Sequence, residues 1–364
     1  MVQGMQSTDA DAGPLVTADG VTFRLHHPPP DLTAAWLFQE VAMPRGGWGL
    51  EPGANRGPWQ LRFPRPPVDR MEYLVELLYE DGRTELIRDP ANPLHGPGPF
   101  GDKSVIEFPG YRPPAWTAPV QVPAGEVEDF EIEVPSLGER QRTRIWSPPG
   151  TVPDQRLPLL VAHDGIEYAE FSGLVRMLER LSHRGGLPPM RAALLHPMRR
   201  GDHYSASPAY AEALAREILP SLARRAPSPP GRRWRVGMGA SLGALAMLHL
   251  HRLHPPTLGG LFLQSGSFFH HRYDPHNLPF EEFLRIRRFM DRVHADREWS
   301  HPVPVVITCG TVEENLANNR ATSLVLARQG YPVRFVPSRD GHNWTAWRDL
   351  FDPHLVGFLK ELWG

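Results

Sequence analysis

The hydrophobic and polar positions of the chain follow two periods, and the change falls near residue 115. Up to that point, short runs of alternating apolar and polar residues are broken by Gly, Pro and Asp, as in GVTFRLHH, AAWLFQEVAM and MEYLVELLYEDGRTELIRD. Asp81-Gly82 stands between two such runs, which is typical of a tight hairpin turn. Several short strands at this spacing predict a β-sandwich domain over residues 1–115. The proline-rich residues 116–125 then predict a semi-rigid linker.

From residue 126 onward the pattern is that of strands alternating with helices. EDFEIEVPS and RQRTRIWSPPG predict two strands joined by the turn SLGE. LPLLVAHDG and MRAALLHP are more continuously apolar, as buried parallel strands are. EFSGLVRMLERLSHRG and SPAYAEALAREILPSLARR have helical spacing. The alternation predicts an α/β domain over residues 126–364, with a mostly parallel central sheet covered by helices.

Length and charge narrow the classes of protein to consider. A chain of 364 residues is long enough for two domains. Its formal net charge of -2 lacks the basic excess of a nucleic-acid binder. The single cysteine, Cys309, allows no internal disulfide, and we find neither a signal peptide nor an apolar run of membrane-spanning length. We therefore expect a cytoplasmic protein with no nucleic-acid or membrane partner; its oligomeric state stays open.

The candidate chemistry starts at Ser241, in the G-x-S-x-G segment from Gly239 to Gly243. RWRVGMG before it predicts a strand, and LGALAMLHLHRLH after it predicts a packed helix. A nucleophilic serine in an α/β-hydrolase lies on a sharp turn between a strand and a helix, with small neighbours. The local setting therefore favours Ser241 as a nucleophile over a serine that merely caps a helix.

A serine nucleophile needs a base, and the base needs an acid to orient it. In this fold the chain order is serine, acid, histidine, each after a strand. His342 follows the predicted last strand, YPVRFVPS, in the loop RDGHNWTAW. The acid should follow the strand VPVVITCG, where Glu313 and Glu314 are both available. The alternative is that these two carboxylates only favour the start of the next helix.

The oxyanion of an acyl-transfer reaction needs two backbone donors. One is the amide after the nucleophile, here Leu242, and the segment AHDGIEY offers Gly165 or Ile166 for the other. This chemistry requires no metal and no organic cofactor. His249, His251 and His254 are interpreted as positive or polar residues that favour a helix C-terminus. His270, His271 and His276 are interpreted as solvated loop residues, and a metal site at either cluster is only a weak alternative.

Taken together, several segments resemble the enterochelin (enterobactin) esterase family of the esterase D-like α/β-hydrolases. They include HDGIEYAEF, GASLGALAM, LFLQSGSFF, CGTVEENLANNR and DGHNWTAWRDL. The resemblance covers residues 126–364. The preceding segment, with DPANP and GDKS, is similar to the immunoglobulin-like module often found in such esterases.

The resemblance implies Ser241 as nucleophile, His342 as base and Glu313, three residues after Gly310, as the acid. It also implies a small-molecule ester as the partner, such as a ferric siderophore. One departure weakens a transfer of that specificity: the family's R-x-x-E segment is absent from HPMRRGDHYSASPAY. Arg199, Arg200 and Tyr204 in that segment, and Trp344, are nevertheless candidates for substrate binding.

Three alternatives remain open at this stage. The ester can be an acetyl or feruloyl group on a carbohydrate, which the N-terminal module would suit. The chain can also be a non-catalytic glycan-binding protein on a hydrolase scaffold, although an intact serine, acid and histidine argue against it. Finally, the acyl group can pass to an alcohol instead of water.

Overall fold

The computed structural model describes residues 13–54, 57–274 and 281–364. These residues separate into two units. The first unit runs through Arg112 and also includes two short segments from later in the chain, Gly310–Glu313 and Arg339–Trp344. The remaining residues, from Pro113 onward, form the second unit.

The described part of the first unit is built from antiparallel strands, as the period of two predicts. In chain order they are β1 (Leu15–Val16), β2 (Gly20–Leu25), β3 (Leu32–Gln39), β4 (Trp48–Gly49), β5 (Trp59–Pro64), β6 (Arg70–Tyr79), β7 (Thr84–Ile87), β8 (His95–Gly96) and β9 (Lys103–Glu107). One sheet has the order β1-β2-β5, and the other has the order β4-β3-β6-β9-β8 with β7 paired to β6. The predicted Asp81-Gly82 turn joins β6 to β7, with Gly82 at a φ of 80°.

The core of the first unit draws side chains from both sheets, because alternate residues of each strand point the same way. Phe23 and Phe63 come from one sheet, and Leu37, Tyr73 and Ile106 from the other. The Phe23 and Tyr73 rings meet edge to face, with their centroids 4.6 Å apart. The prediction of a β-rich N-terminal domain is therefore confirmed.

The second unit contains an eight-stranded sheet. Its strands are β10 (Glu126–Val134), β11 (Glu139–Ser147), β12 (Leu159–His163), β13 (Arg191–Leu195), β14 (Arg235–Ala240), β15 (Gly260–Gln264), β16 (Val305–Gly310) and β17 (Val333–Ser338). The order is β10-β11-β13-β12-β14-β15-β16-β17. The β10–β11 hairpin is antiparallel, as predicted from the SLGE turn, and the ladders from β13 through β16 are parallel.

Helices connect these strands. They are α1 (Gly165–Phe171), α2 (Leu174–His183), α3 (Arg200–Tyr204), α4 (Pro208–Ala213), α5 (Leu219–Arg225), α6 (Leu242–Leu253), α7 (Phe283–Ala295), α8 (Leu316–Arg328), α9 (Trp344–Asp349) and α10 (Val356–Trp363).

Every residue of β12 is buried, which explains its unbroken apolar sequence. Leu159 and Val161 of β12 join the core cluster that also holds Leu245 of α6. Among the described residues, no helix has both the length and the apolar character needed to cross a membrane.

The segment predicted as a linker is packed on the second unit. Trp116, in a short 3₁₀ turn, is buried. Arg180 of α2 donates hydrogen bonds to the carbonyls of Trp116 and Ala118, and to that of Val120 at 2.9 Å. The prolines of this stretch have no backbone N–H to donate. Arg180 supplies hydrogen-bond donors to three of its carbonyl groups.

Candidate active site

Ser241 lies on the turn between β14 and α6, in a backbone conformation that residues with a side chain rarely adopt. Its φ is 55° and its ψ is -121°. Such a strained serine at a strand–helix junction holds the hydroxyl out of the turn. A Cβ on Gly239 would collide with the backbone of Gly243, so the turn requires the first glycine of the motif.

The loop after β15 lies against this turn. The N–H of Ser267 donates to the carbonyl oxygen of Ser241 at 3.1 Å, and the two hydroxyl oxygens are also 3.1 Å apart. Asn315 and Asn319 hold the loop by donating to the carbonyls of Ser265 and Gly266, each at 2.9 Å. The segments QSGS and NLANN, which carry part of the family resemblance, therefore support the serine turn.

Glu313 and His342 form a hydrogen-bonded pair. The Glu313 Oε2 atom is 2.7 Å from His342 Nδ1. The other carboxylate oxygen of Glu313 accepts a hydrogen bond of 2.7 Å from the N–H of Gly310. The Glu313 side chain is only 2% exposed, whereas the His342 side chain is 36% exposed. Of the two candidate acids, Glu313 contacts the ring, and Glu314 is exposed.

The loops that carry the acid and the histidine approach each other closely at Gly310. A Cβ at this position would collide with the carbonyl oxygen of Asp340 and would lie 2.7 Å from the Glu313 carboxylate. Glycine is therefore required where β16 ends, since any side chain would force the two loops apart.

Asp164, which sequence reasoning did not assign, supports the loop with the second candidate oxyanion donor. It precedes Gly165 at a φ of 49° and is buried. Its carboxylate accepts two hydrogen bonds from Arg200, at 2.9 and 2.8 Å. A Cβ on Gly165 would collide with Leu194 of β13, so the loop runs directly along that strand. The first amides of α1, including those of Gly165 and Ile166, have no partner within a helix and are suited to bind an anion.

This arrangement predicts different effects for two adjacent arginines. We expect Arg200→Met to lower the free energy of unfolding by about 2–3 kcal/mol, because the buried Asp164 carboxylate loses its partner. Arg199 is 60% exposed on its side chain and pairs with Glu139 at 2.6 Å, so Arg199→Met should cost less than about 1 kcal/mol. Urea denaturation of the two variants and the wild type measures the difference. Equal losses would show that Arg200 does not support this loop.

The four residues considered for substrate binding have different environments. The Tyr204 side chain is 1% exposed within the core, and Arg200 is engaged with Asp164. We therefore leave Tyr204 and Arg200 out of the proposed substrate contacts. Trp344 begins α9 and is half-buried. Trp347 is buried instead, and its ring N–H donates to Ser265 Oγ at 3.0 Å.

Three histidines differ from the sequence-based interpretation, whereas His271 is exposed as expected. His249 and His251 are buried, and burial lowers their pKa values to about 4 and about 3, so they are neutral and do not favour the helix dipole. His270 is also buried and not solvated. Its Nε2 lies 3.4 Å from Asp291 Oδ1, and its Nδ1 accepts a hydrogen bond from the N–H of Arg272. His276 lies outside the described residues.

A mostly parallel sheet with a serine on a strained turn from strand to helix is the arrangement of the α/β-hydrolases. The match to a family narrows the class. Residues 135–358, more than half of the chain, match the family called Esterase, and the chain belongs to that family. The α/β-hydrolase fold and the ester-hydrolase class expected from the sequence are confirmed, whereas the immunoglobulin-like form of the N-terminal domain stays a prediction.

Individual relatives agree with this assignment. The chain is 29% identical over 310 residues to the iron(III) enterobactin esterase of Escherichia coli O6:H1, covering 83% of this chain and 73% of the relative. A crystal structure of the Shigella flexneri enterobactin esterase, obtained in the presence of enterobactin, matches with a TM-score of 0.76 at 21% identity, covering 97% of this chain and 96% of that one. A ferulic acid esterase matches at 0.56 and 15% identity, covering 66% of this chain and 98% of that one. The resemblance to enterochelin esterases is confirmed.

Proposed function

We propose that this chain is a serine esterase in which Ser241 is the nucleophile, His342 the base and Glu313 the acid. The observation that carries the proposal is the 2.7 Å contact of a buried Glu313 carboxylate with the His342 ring, in a chain whose G-x-S-x-G serine has a positive φ. Ser241, Glu313 and His342 follow β14, β16 and β17 in the order expected of this fold. In open α/β sheets, ligands bind outside the carboxyl ends of the strands. Each of the three residues follows the carboxyl end of its strand in the chain.

The proposed reaction proceeds through an acyl-enzyme. His342 takes the proton of the Ser241 hydroxyl as the oxygen attacks the ester carbonyl. The amides of Leu242 and of Gly165 or Ile166 stabilise the negative oxygen of the tetrahedral intermediate. The imidazolium then protonates the leaving alcohol, and a water molecule, deprotonated by the same ring, releases the acid. Glu313 keeps the ring oriented and stabilises its charged form throughout.

For the substrate we propose an iron(III) siderophore ester of the enterobactin type. The support is the agreement with enterobactin esterases over both units of the chain, whereas the ferulic acid esterase covers 66% of it. Arg199, with its exposed side chain, and Trp344, two residues after His342 in the chain, are the residues we propose for contact with an anionic, aromatic ligand. We further propose that the first unit is an immunoglobulin-like sandwich, since its two antiparallel sheets share one apolar core.

Product analysis by chromatography tests this proposal. Ferric enterobactin, iron-free enterobactin, methyl ferulate and acetylated xylan are each incubated with the wild type and with Ser241→Ala. We expect the ferric siderophore to be cleaved with a kcat/KM at least about tenfold above that of the ferulate and acetyl esters, and only by the wild type. A preference for the carbohydrate esters would replace the siderophore with that substrate class. Transfer of the acyl group to an added alcohol in place of water would identify an acyltransferase.

A further inference from the structure

The loop that carries His342, residues 339–343, is held at both ends by the start of strand β6 in the N-terminal sandwich. We call these residues the His342 loop. At one end, the N–H of Asp69 donates to the carbonyl oxygen of Arg339 at 2.8 Å, and Arg339 Nε donates to the Asp69 carboxylate at 3.0 Å. At the other end, Arg70 Nη1 donates to Asn343 Oδ1 at 3.2 Å. His342 lies between these two attachments.

Arg70 is an unusually buried arginine, with 3% of its surface exposed. Arginine is almost never fully buried unless it is paired. Here Nη2 donates to Glu72 at 3.0 Å, and Glu72 is itself 9% exposed on its side chain. The pair fills the space beside Gly96 of β8, where a Cβ would lie 2.6 Å from both Arg70 Nη2 and Glu72 Oε1. These contacts therefore hold the guanidinium in position next to the His342 loop.

Asp340 links Arg70 to the shape of the loop. Its buried carboxylate accepts hydrogen bonds from the N–H of Gly341 at 2.7 Å and from Asn343 Nδ2 at 3.0 Å. Burial raises the pKa of Asp340 to about 7, and the positive charge of Arg70 opposes that rise. Loss of Arg70 would raise the Asp340 pKa further, so the carboxyl group would be protonated at neutral pH and would become a weaker acceptor for the two loop donors.

The segment that carries Glu313 belongs to the same unit. Val312, immediately before Glu313, packs against the apolar core of the N-terminal sandwich. Gly310–Glu313 and Arg339–Trp344 both belong to that unit by their contacts. The unit therefore holds both partners of the 2.7 Å hydrogen bond.

We propose that Arg70 is a positioning residue for His342, and that the N-terminal sandwich in this way forms part of the catalytic apparatus. The inference rests on the proposed function, in which His342 is the base. Arg70 acts through Asn343 and Asp340, which fix the backbone on either side of the histidine. Since a misplacement of about 1 Å can cost about a hundredfold in rate, loss of this support is expected to lower kcat and leave KM unchanged.

The experiment compares Arg70→Met and Arg70→Lys with the wild type, using p-nitrophenyl butyrate as substrate. We expect Arg70→Met to lower kcat by about 30- to 100-fold with KM within about twofold, and Arg70→Lys, which keeps the charge, to regain part of the loss. The matched control is Arg191→Met. Arg191 is another buried arginine, and its guanidinium Nη atoms donate to the backbone carbonyls of Val152, Pro153, Gln155 and Pro227. Its Nε also donates to Ser147 Oγ at 3.2 Å. Arg191→Met should therefore lose stability and keep its kcat within about twofold.

A second variant perturbs the same contact while retaining the arginine. Gly96→Ala places a methyl group against the Arg70–Glu72 pair, and we expect it to lower kcat in the same way. If Arg70→Met does not fold, Gly96→Ala and Arg70→Lys decide the question. A folded Arg70 or Gly96 variant with wild-type kcat, or one in which only KM rises, would overturn the positioning role. Ser241→Ala, measured alongside, separates this outcome from failure of the proposed function, which would appear as equal activity in Ser241→Ala and the wild type.

Discussion

Replacing Ser241 with alanine is expected to reduce kcat for p-nitrophenyl butyrate by roughly 10⁴- to 10⁶-fold, with little change in stability. The loss should be this large because no covalent acyl-enzyme can form without the hydroxyl oxygen. The residual rate would come from substrate binding and from the oxyanion donors. Purified wild type and variant are assayed in parallel, and each is incubated with a fluorophosphonate probe that labels activated serines. Only the wild type should be labelled.

The neighbouring serine provides the matched control. Ser267 Oγ lies 3.1 Å from Ser241 Oγ, so a probe that reacts in this region has two hydroxyl groups to choose between. Ser241 is the one on the strained turn that leads into α6, and Ser267→Ala should still be labelled and should keep its activity within about tenfold. If Ser241→Ala were labelled and Ser267→Ala were not, the nucleophile would be Ser267 and our proposal would be wrong.

The sequence alone was sufficient to predict those elements whose conformation is set by residues close together in the chain. The continuous apolar run LPLLVAH predicts a buried strand, and β12 is buried throughout because it lies inside a parallel sheet. The Asp81-Gly82 turn and the glycines around Ser241 were equally readable, since each position requires a backbone conformation or a close approach that few residues allow. The order of strands after Ser241 then directs attention to Glu313 and His342.

The supporting contacts could not be predicted in the same way, because they join residues far apart in the sequence. Arg200 was considered for substrate binding on the basis of its charge, yet its partner is Asp164, in the loop after β12. Nothing in the sequence marked Arg70 as important, because it lies in a strand with an ordinary alternation of apolar and polar residues. Its significance comes from Asn343, which is 273 residues away. Only the three-dimensional structure brings such pairs together.

Replacing Glu313 with glutamine is expected to give the second-largest loss of activity, about 10³- to 10⁴-fold in kcat. Glutamine has nearly the same shape, so the substitution tests the charge more than the packing. The carboxylate accepts a hydrogen bond from His342 at one oxygen and from the Gly310 N–H at the other. A neutral amide that keeps the Gly310 bond through its oxygen would present its NH₂ group to His342 Nδ1. That group favours the tautomer with the proton on Nε2, in which the ring cannot accept the serine proton.

Glu314→Gln is the control for this substitution, because it removes the same charge from the adjacent, exposed position. We expect its kcat to stay within about twofold of the wild type, because the charge that is removed lies on an exposed side chain. Steady-state kinetics for both variants, with KM determined separately, make the comparison direct. A large loss in Glu314→Gln with little effect in Glu313→Gln would reverse the assignment of the acid. Equal and small effects would mean that His342 is oriented mainly by its loop, and the contribution of Arg70 would then be the larger one.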